Sequence, residues 1–164
     1  MFRRQALHSA LALAALLTLG ACASQPTAPT SLADVVASTP SLTTFHKLSA
    51  EAGLDGLLRG KEAHTVFAPS DAAFAAVPAA TLQALQADKA QLRQVLSYHI
   101  MAGSVASADV KPGNAKTLQG GSVALARAGG FVTVEDALVE QADLRAPNGV
   151  VHVIDRVLMP PRAK

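Results

Sequence analysis

The feature that most restricts the fold is a change of texture at Gly103. Upstream of it, apolar residues recur at helical spacing. Asp88 opens a segment in which Leu92, Val95, Leu96 and His99 keep the i, i+3, i+4, i+7 rhythm of one buried face, so His99 is expected to point inward. Ser31 and Ser41 are expected N-caps of two further helices, the second carrying Leu42, Phe45 and Leu48 on one face and stopping before Gly53. A short extended run over residues 64–68 is stopped by Pro69. Ser70 and Asp71 then cap a helix through Phe74, and Pro78 forces another turn. Downstream of Gly103, Val, Thr and Gly take over. Residues 122–128 and 131–135 flank Gly129-Gly130, the residue type a tight hairpin turn requires. Asn148-Gly149 marks a second turn before a strand over 150–158, with Val151, Val153 and Val157 on one face. Helices gathered first and strands second predict an α+β fold with a mostly antiparallel sheet, not a βαβ alternation.

Composition narrows the function. The 164 residues suit one domain of ~100–150 residues plus a short appendage. Half are hydrophobic, yet only 4% are aromatic, so the core is built mainly from Ala, Val and Leu. The 14 basic residues exceed the 12 acidic ones by the two contributed by Arg3 and Arg4. With one Tyr, no Trp and no Lys/Arg cluster, the chain lacks the phosphate-neutralising surface and stacking platforms of a nucleic-acid binder. A single Cys rules out a disulfide framework and any zinc site built on several thiolates.

That cysteine has a telling position. Arg3 and Arg4 precede an apolar stretch over residues 10–19, which has the length of a signal-peptide core and falls short of the ~20 residues that span a bilayer. It ends in Leu19-Gly20-Ala21-Cys22, which resembles the bacterial lipobox, where diacylglyceryl is attached to Cys and the peptide is cut just before it. Residues 1–21 are therefore expected to be a lipoprotein signal peptide and Cys22 the lipidated mature N-terminus. Residues 22–30, small, polar and twice interrupted by Pro, are expected to be a tether. The domain then occupies 31–160 and a tail 161–164. At ~0.8 kcal/mol per buried CH₂, two or more acyl chains anchor a domain stably. Ala23 and Ser24 stand where an Asp would mark inner-membrane retention, which favours the outer membrane of a bacterial envelope, on its periplasmic or surface face.

Little in the chain points to chemistry. No G-x-G-x-x-G, P-loop or G-x-S-x-G occurs. His46, His64, His99 and His152 lie in four separate segments without metal-ligand spacing, so no metal site and no cofactor are expected. Asp34, Asp55, Asp88 and Asp109 read as caps or solvated surface rather than a calcium loop. Ser70, Asp71 and His99 could assemble a proton relay, but Ser70 and Asp71 sit where a helix cap belongs and His99 lies on an apolar face, so no catalytic residue is assigned.

Three segments together bring a family into view. Residues 65–74, TVFAPSDAAF, resemble the first signature block of the fasciclin (FAS1) domain. Residues 148–155, NGVVHVID, resemble the second, and Tyr98-His99 stand where that family carries its Tyr-His pair. Order and spacing agree over residues 31–160. The resemblance implies a wedge-shaped antiparallel β-sandwich with a bundle of small helices, used for adhesion and protein association at cell surfaces and in matrices, without enzymatic activity. Ser70, Asp71, His99, Asn148, Gly149 and His152 are then structural motif residues. His99 is expected to be buried and hydrogen-bonded, with the Ser70-Asp71 cap region as its partner. In animal members the Tyr-His region and an Asp-Ile pair ahead of the second block are linked to integrin binding. Here Asp143 and Leu144 occupy the latter place, with Leu instead of Ile, so Tyr98, Asp143 and Leu144 are the candidate interaction residues.

The expected function is a lipid-anchored adhesion or protein-interaction module of the cell envelope. It would be held to the membrane by its N-terminal lipid and bind an unidentified surface protein or extracellular matrix polymer. The alternatives are an envelope carrier of a small apolar ligand and a serine hydrolase using Ser70.

Overall fold

Side-chain caps start most of the helices. In the computed structural model, which describes residues 28–161, the Ser31 hydroxyl accepts from the Asp34 amide at the head of α1 (Leu32–Ser38). A 3-10 turn over Pro40–Leu42 leads into α2 (Thr43–Glu51), and α3 (Asp55–Leu58) follows. Gly53, at φ 70, ends α2 in the left-handed conformation that glycine adopts without a Cβ penalty. Ser41 does not cap α2. It lies inside the 3-10 turn, and the cap comes from across space: Asp71 accepts from the Thr44 amide (2.7 Å) and the Thr43 hydroxyl (2.6 Å). The expected signal peptide, Cys22, most of the tether and residues 162–164 lie outside the described residues.

The first strand, β1 (His64–Pro69), runs into α4 (Asp71–Ala75), capped by Ser70. Then come α5 (Ala79–Ala87) and α6 (Lys89–Tyr98), the latter capped by Asp88 through the amides of Ala90 and Gln91. The strands β2 (Ile100–Ala102), β3 (Gly113–Lys116), β4 (Ser122–Ala128), β5 (Phe131–Val134), β6 (Ala137–Ala146) and β7 (Gly149–Ile154) complete the domain. Among the described residues no helix is long and apolar enough to cross a membrane.

The strands form one sheet in the order β2-β1-β7-β6-β5-β4-β3. Every pairing is antiparallel except β1 with β7, which is parallel. The register of β6 against β7 slips twice, between Val139 and Gln141 and between Gln141 and Leu144. Such bulges bend a strand, and β6 is where the sheet passes from its first four strands to its last three. Its two ends meet: Met101 of β2 bridges Thr117, and the Leu118 amide donates to the Ile100 carbonyl at 2.8 Å. The sheet is thus curled nearly into a barrel, giving the expected α+β class.

The curl creates two cores. One lies between the helices and one face of β1 and β7, with Phe45, Leu48, Val66, Ala68, Leu96, Val151 and Val153. The other fills the inside of the curl, with Phe67, Tyr98, Val123, Val132, Val134, Ile154 and Leu158. All six residues of β1 and all six of β7 are buried because both faces of these strands are covered. The final strand stops at Ile154 rather than Leu158, where the chain bends at Asp155-Arg156, although Val157 still packs against the helix-side core.

Candidate functional site

The residues singled out in the sequence converge on the seam between β1, β7 and the end of α6. Ser70 follows β1, and its hydroxyl accepts from the Ala73 amide at 3.2 Å, as an N-cap should. Asp71 begins α4 and caps α2 instead. Burial opposes its charge, but the hydroxyl and amide donors of Thr43 and Thr44 prevail and hold its carboxyl below the usual range.

His99 is fully buried and joins elements far apart in the chain. Its Nδ1 donates to the Val95 carbonyl (2.8 Å), and its Nε2 accepts from the Leu158 amide (2.9 Å). The expected partner, the Ser70-Asp71 cap, is not the one found. The imidazole clasps the C-terminal segment, while the first signature block is reached only by backbone, Phe67 amide to His99 carbonyl at 2.8 Å. Burial pushes the imidazole down to about 4, partly offset by the Val95 carbonyl, so the neutral tautomer that these contacts require is the stable one.

His152 serves β7 in the same way. Its Nε2 donates to the Val105 carbonyl (2.9 Å), its Nδ1 accepts from the Asp143 amide (3.2 Å), and its ring stacks on Phe67 with centroids 5.6 Å apart. Burial lowers its pKa, against the pull of Val105 and Asp143. Both ring nitrogens of His99 and of His152 are therefore occupied by backbone partners.

Asn148 and Gly149 turn the chain from β6 into β7. The Asn148 side chain is buried and receives the Leu32 amide (2.7 Å), while its own amide donates to the carbonyls of Leu58 (2.9 Å) and Gly60 (2.7 Å). One side chain thus ties α1, the end of α3 and the second signature block together. Gly149 has φ 144, and a Cβ there would overlap the His64 backbone carbonyl.

The candidate interaction residues are more embedded than their sequence context implies. Tyr98 is only 3% exposed, and its hydroxyl donates to the Ser122 carbonyl (2.9 Å) beside Glu135 (3.5 Å). Burial and the Glu135 charge raise its pKa. Asp143 sits in the β6 bulge at φ 61, and its carboxylate accepts from the amide and hydroxyl of Ser107. Burial works against that charge, but Ser107, His152 and Arg145 hold it below the ordinary carboxylate range. Leu144 is half-buried and packs against the helix-side core.

Two polar anchors were not singled out from the sequence. Glu135, at φ 55, accepts from the Ala124 amide (2.8 Å) below Tyr98. Thr65 accepts from the Val105 amide (2.9 Å) and donates to the Gly103 carbonyl (2.7 Å). Each depends on a partner distant in sequence.

Chemically, the arrangement is self-satisfied. Among the described residues every buried side-chain polar atom has a partner, and no group of three His, Cys, Asp or Glu residues could hold a metal. Ser70 and His99 point to separate partners and form no relay. Two open clefts stand out on the surface. One, of about 310 Å³, is lined by Arg93, Gln94, Ser97, Leu118 and their neighbours. The other, of about 490 Å³, lies between Tyr98, Glu135, Asp136 and Met159.

Comparison with known proteins places this fold. The Fasciclin domain model matches residues 40–160. The chain is 35% identical over 152 residues to the immunogenic protein MPB70 of Mycobacterium bovis, covering 85% of this chain and 78% of that one. It is 37% identical over 115 residues to the cell surface glycolipoprotein MPB83 of the same species, covering 70% of this chain and 51% of the relative. In structure it is similar to a FAS1 domain pair from the insect cell adhesion molecule Fasciclin I, with a TM-score of 0.62 at 18% identity, covering 80% of this chain and about half (52%) of that one. The class is a non-catalytic adhesion or interaction module. Within it, the chain belongs to the fasciclin family.

Proposed function

We propose that this fasciclin domain is a lipid-anchored module of the bacterial cell envelope, held by Cys22 and binding a surface protein or matrix polymer. One observation carries the reading. The side chains at the signature positions are engaged in holding the fold rather than aimed at a ligand, so the domain works by presenting a surface. The order of charged start, short apolar run and lipobox-like tetrapeptide supplies the anchor, and the likeness to a cell surface glycolipoprotein supports the setting. The outer membrane is favoured by Ala23 and Ser24 after the cysteine. The carrier alternative draws no support from the two clefts, which are open and partly polar. The hydrolase alternative would require Ser70 and His99 to leave their present partners.

Replacing Cys22 with Ser tests the anchor. Wild type should incorporate labelled fatty acid and fractionate with membranes, and Cys22→Ser should do neither. Membrane fractionation of that variant, with no label on wild type, would refute the anchor. For the partner, cells displaying wild type are compared with cells displaying Asp143→Ala plus Leu144→Ala at matched surface levels. Attachment to matrix polymer should drop in the variant, and unchanged attachment would remove this patch from the interface.

A further inference from the structure

The second register slip of β6 is braced by a side chain. Gln141 pairs with Val153 and Leu144 with Val151, so Ala142 and Asp143 together stand opposite one residue, His152. Asp143 sits there at φ 61, a left-handed conformation that is costly for a residue with a Cβ and persists where the surroundings hold it. Three hydrogen bonds do so. The Asp143 amide donates to Nδ1 of His152 (3.2 Å), and the Asp143 carboxylate accepts from the amide (2.8 Å) and the hydroxyl of Ser107. Ser107 opens a 3-10 turn over Ser107–Asp109, whose middle is tied separately to β4 by the Arg127 guanidinium on the Ala108 carbonyl.

The Asp143 carboxyl is held below the ordinary carboxylate range, so the bond to His152 is the one that acid breaks first. His152 Nδ1 accepts from the Asp143 amide because Nε2 carries the single ring proton and gives it to the Val105 carbonyl (2.9 Å). A second proton, on Nδ1, would set N–H against N–H. The surroundings supply one place for the new donor. From β1 come the Phe67 ring, stacked on the imidazole, and Thr65, whose hydroxyl holds the Val105 amide, and neither titrates. From residues 105–109 come the Val105 carbonyl and Ser107, with Asp109 exposed. From β6 comes the Asp143 carboxylate, the one charge acting on the ring among the described residues, with Arg145 acting on Asp143 in turn. That carboxylate belongs to the same residue as the displaced amide. Rotation about χ1 of Asp143 is the move that can bring it to Nδ1, and the move takes it away from Ser107. His99 has no such counter-ion, since only the Val95 carbonyl offsets its burial.

We infer that the Ala142–Asp143 bulge is a proton-operated latch: protonation of His152 at Nδ1 breaks its bond to the Asp143 amide, the Asp143 carboxylate leaves Ser107 for the imidazolium, and the bulge and the Ser107 end of the turn come free. Arg127 does not titrate, so the turn stays attached to β4 and the change is local. Burial lowers the pKa of both histidines, and Asp143 pulls only His152 back, so His152 takes its proton first as the pH falls from 6.5 toward 4. The latch lies under Asp143 and Leu144. Its use as a control of attachment rests on the reading that places the adhesive patch there, whereas the structural event does not.

Nuclear magnetic resonance of the full chain, titrated downward from neutral pH, reads the latch directly. The His152 ring signals and the amides of Asp143 and Ser107 should shift with one common midpoint. Hydrogen-exchange protection of those two amides should fall several-fold through it, while the Phe67 amide, which donates to the His99 carbonyl, keeps its protection. In His152→Gln, whose side chain can accept from the Asp143 amide but takes up no proton, Ser107 protection should stay constant across the range. Asp143→Asn keeps the ring and removes the anion, so the His152 midpoint should move to lower pH and Ser107 should no longer follow it. Amides of Asp143 and Ser107 that stay protected through the His152 titration would overturn the proposal. So would the same loss in His152→Gln, which would place the proton elsewhere, or a simultaneous loss at Phe67, which would make the event an unfolding. The readout needs no attachment. A latch that titrates as described, together with Asp143→Ala plus Leu144→Ala cells that attach as wild type does, would leave this inference standing and remove the adhesive patch.

Discussion

The β1–β7 pair and the β4–β5 pair belong to the same sheet but answer to different constraints. Helices cover one face of β1 and β7 and the curl of the sheet covers the other, so all their residues are buried. In β4 and β5 only one face is covered: Val123, Leu125, Val132 and Val134 are buried while Ala124, Ala126, Ala128 and Phe131 are exposed. Backbone meets backbone without spare room in the first pair, and the second has an open side. The signature motifs fall on the first, where side chains are fixed by geometry.

Glycine substitution breaks the comparison most sharply. Gly149→Ala would drive a Cβ into the His64 backbone and should cost about 3 kcal/mol or more, seen as loss of the cooperative thermal transition. Gly129→Ala has a comparable left-handed strain at φ 62 but open space around it. It should cost about 1 kcal/mol and leave a folded protein. Similar losses at both sites would mean that the two halves are equally tight.

Next in size is Asn148→Ala, which strands the Leu32 amide and the carbonyls of Leu58 and Gly60. The expected loss is about 3 kcal/mol in urea unfolding, with the m-value unchanged.

His99→Ala should cost about 2 kcal/mol by orphaning the Leu158 amide and opening a cavity, whereas His46→Ala, at a half-buried helix position, should cost little. The pH dependence has a definite sign. Folded His99 takes up a proton only near pH 4, while in an unfolded chain it does so near 6.5. Between these values the unfolded state binds more protons. Wild-type stability should therefore be fully developed above pH 6.5 and fall as the pH drops toward 4, with His152 contributing in the same direction. His99→Ala should flatten that acid limb, and an unchanged limb would contradict the assignment.

Smaller still is Asp71→Ala, which removes the cap of α2 at about 1 kcal/mol. Smallest is Phe131→Ser, expected within about 0.5 kcal/mol of wild type. A large loss there would show that the tip is structural and not a free surface.

Sequence reasoning succeeded where the controlling interaction is local. The caps at Ser31, Ser70 and Asp88, the Gly129-Gly130 hairpin and the inward face of α6 each involve residues a few positions apart. It failed where the partner is remote. Ser41 looked like a cap because nothing nearby reveals that Asp71 reaches across from α4. His99 was assigned the wrong partner because Leu158 lies far along the chain. The extent of β6 was hidden because its two register slips destroy the alternation by which a strand is read. In and just beyond β7 the shared face of Val151, Val153 and Val157 was legible, and all three pack on the helix-side core.

The position of β7 bears on when this protein can fold. The last strand of the chain lies inside the sheet between β1 and β6, with His64 opposite Gly149 and Pro69 opposite Ile154. While the chain emerges from a ribosome, β1 therefore waits without its parallel neighbour until β7 arrives. Such late, long-range closure is slow compared with helix formation. It delays a stable fold until the whole domain has been synthesised.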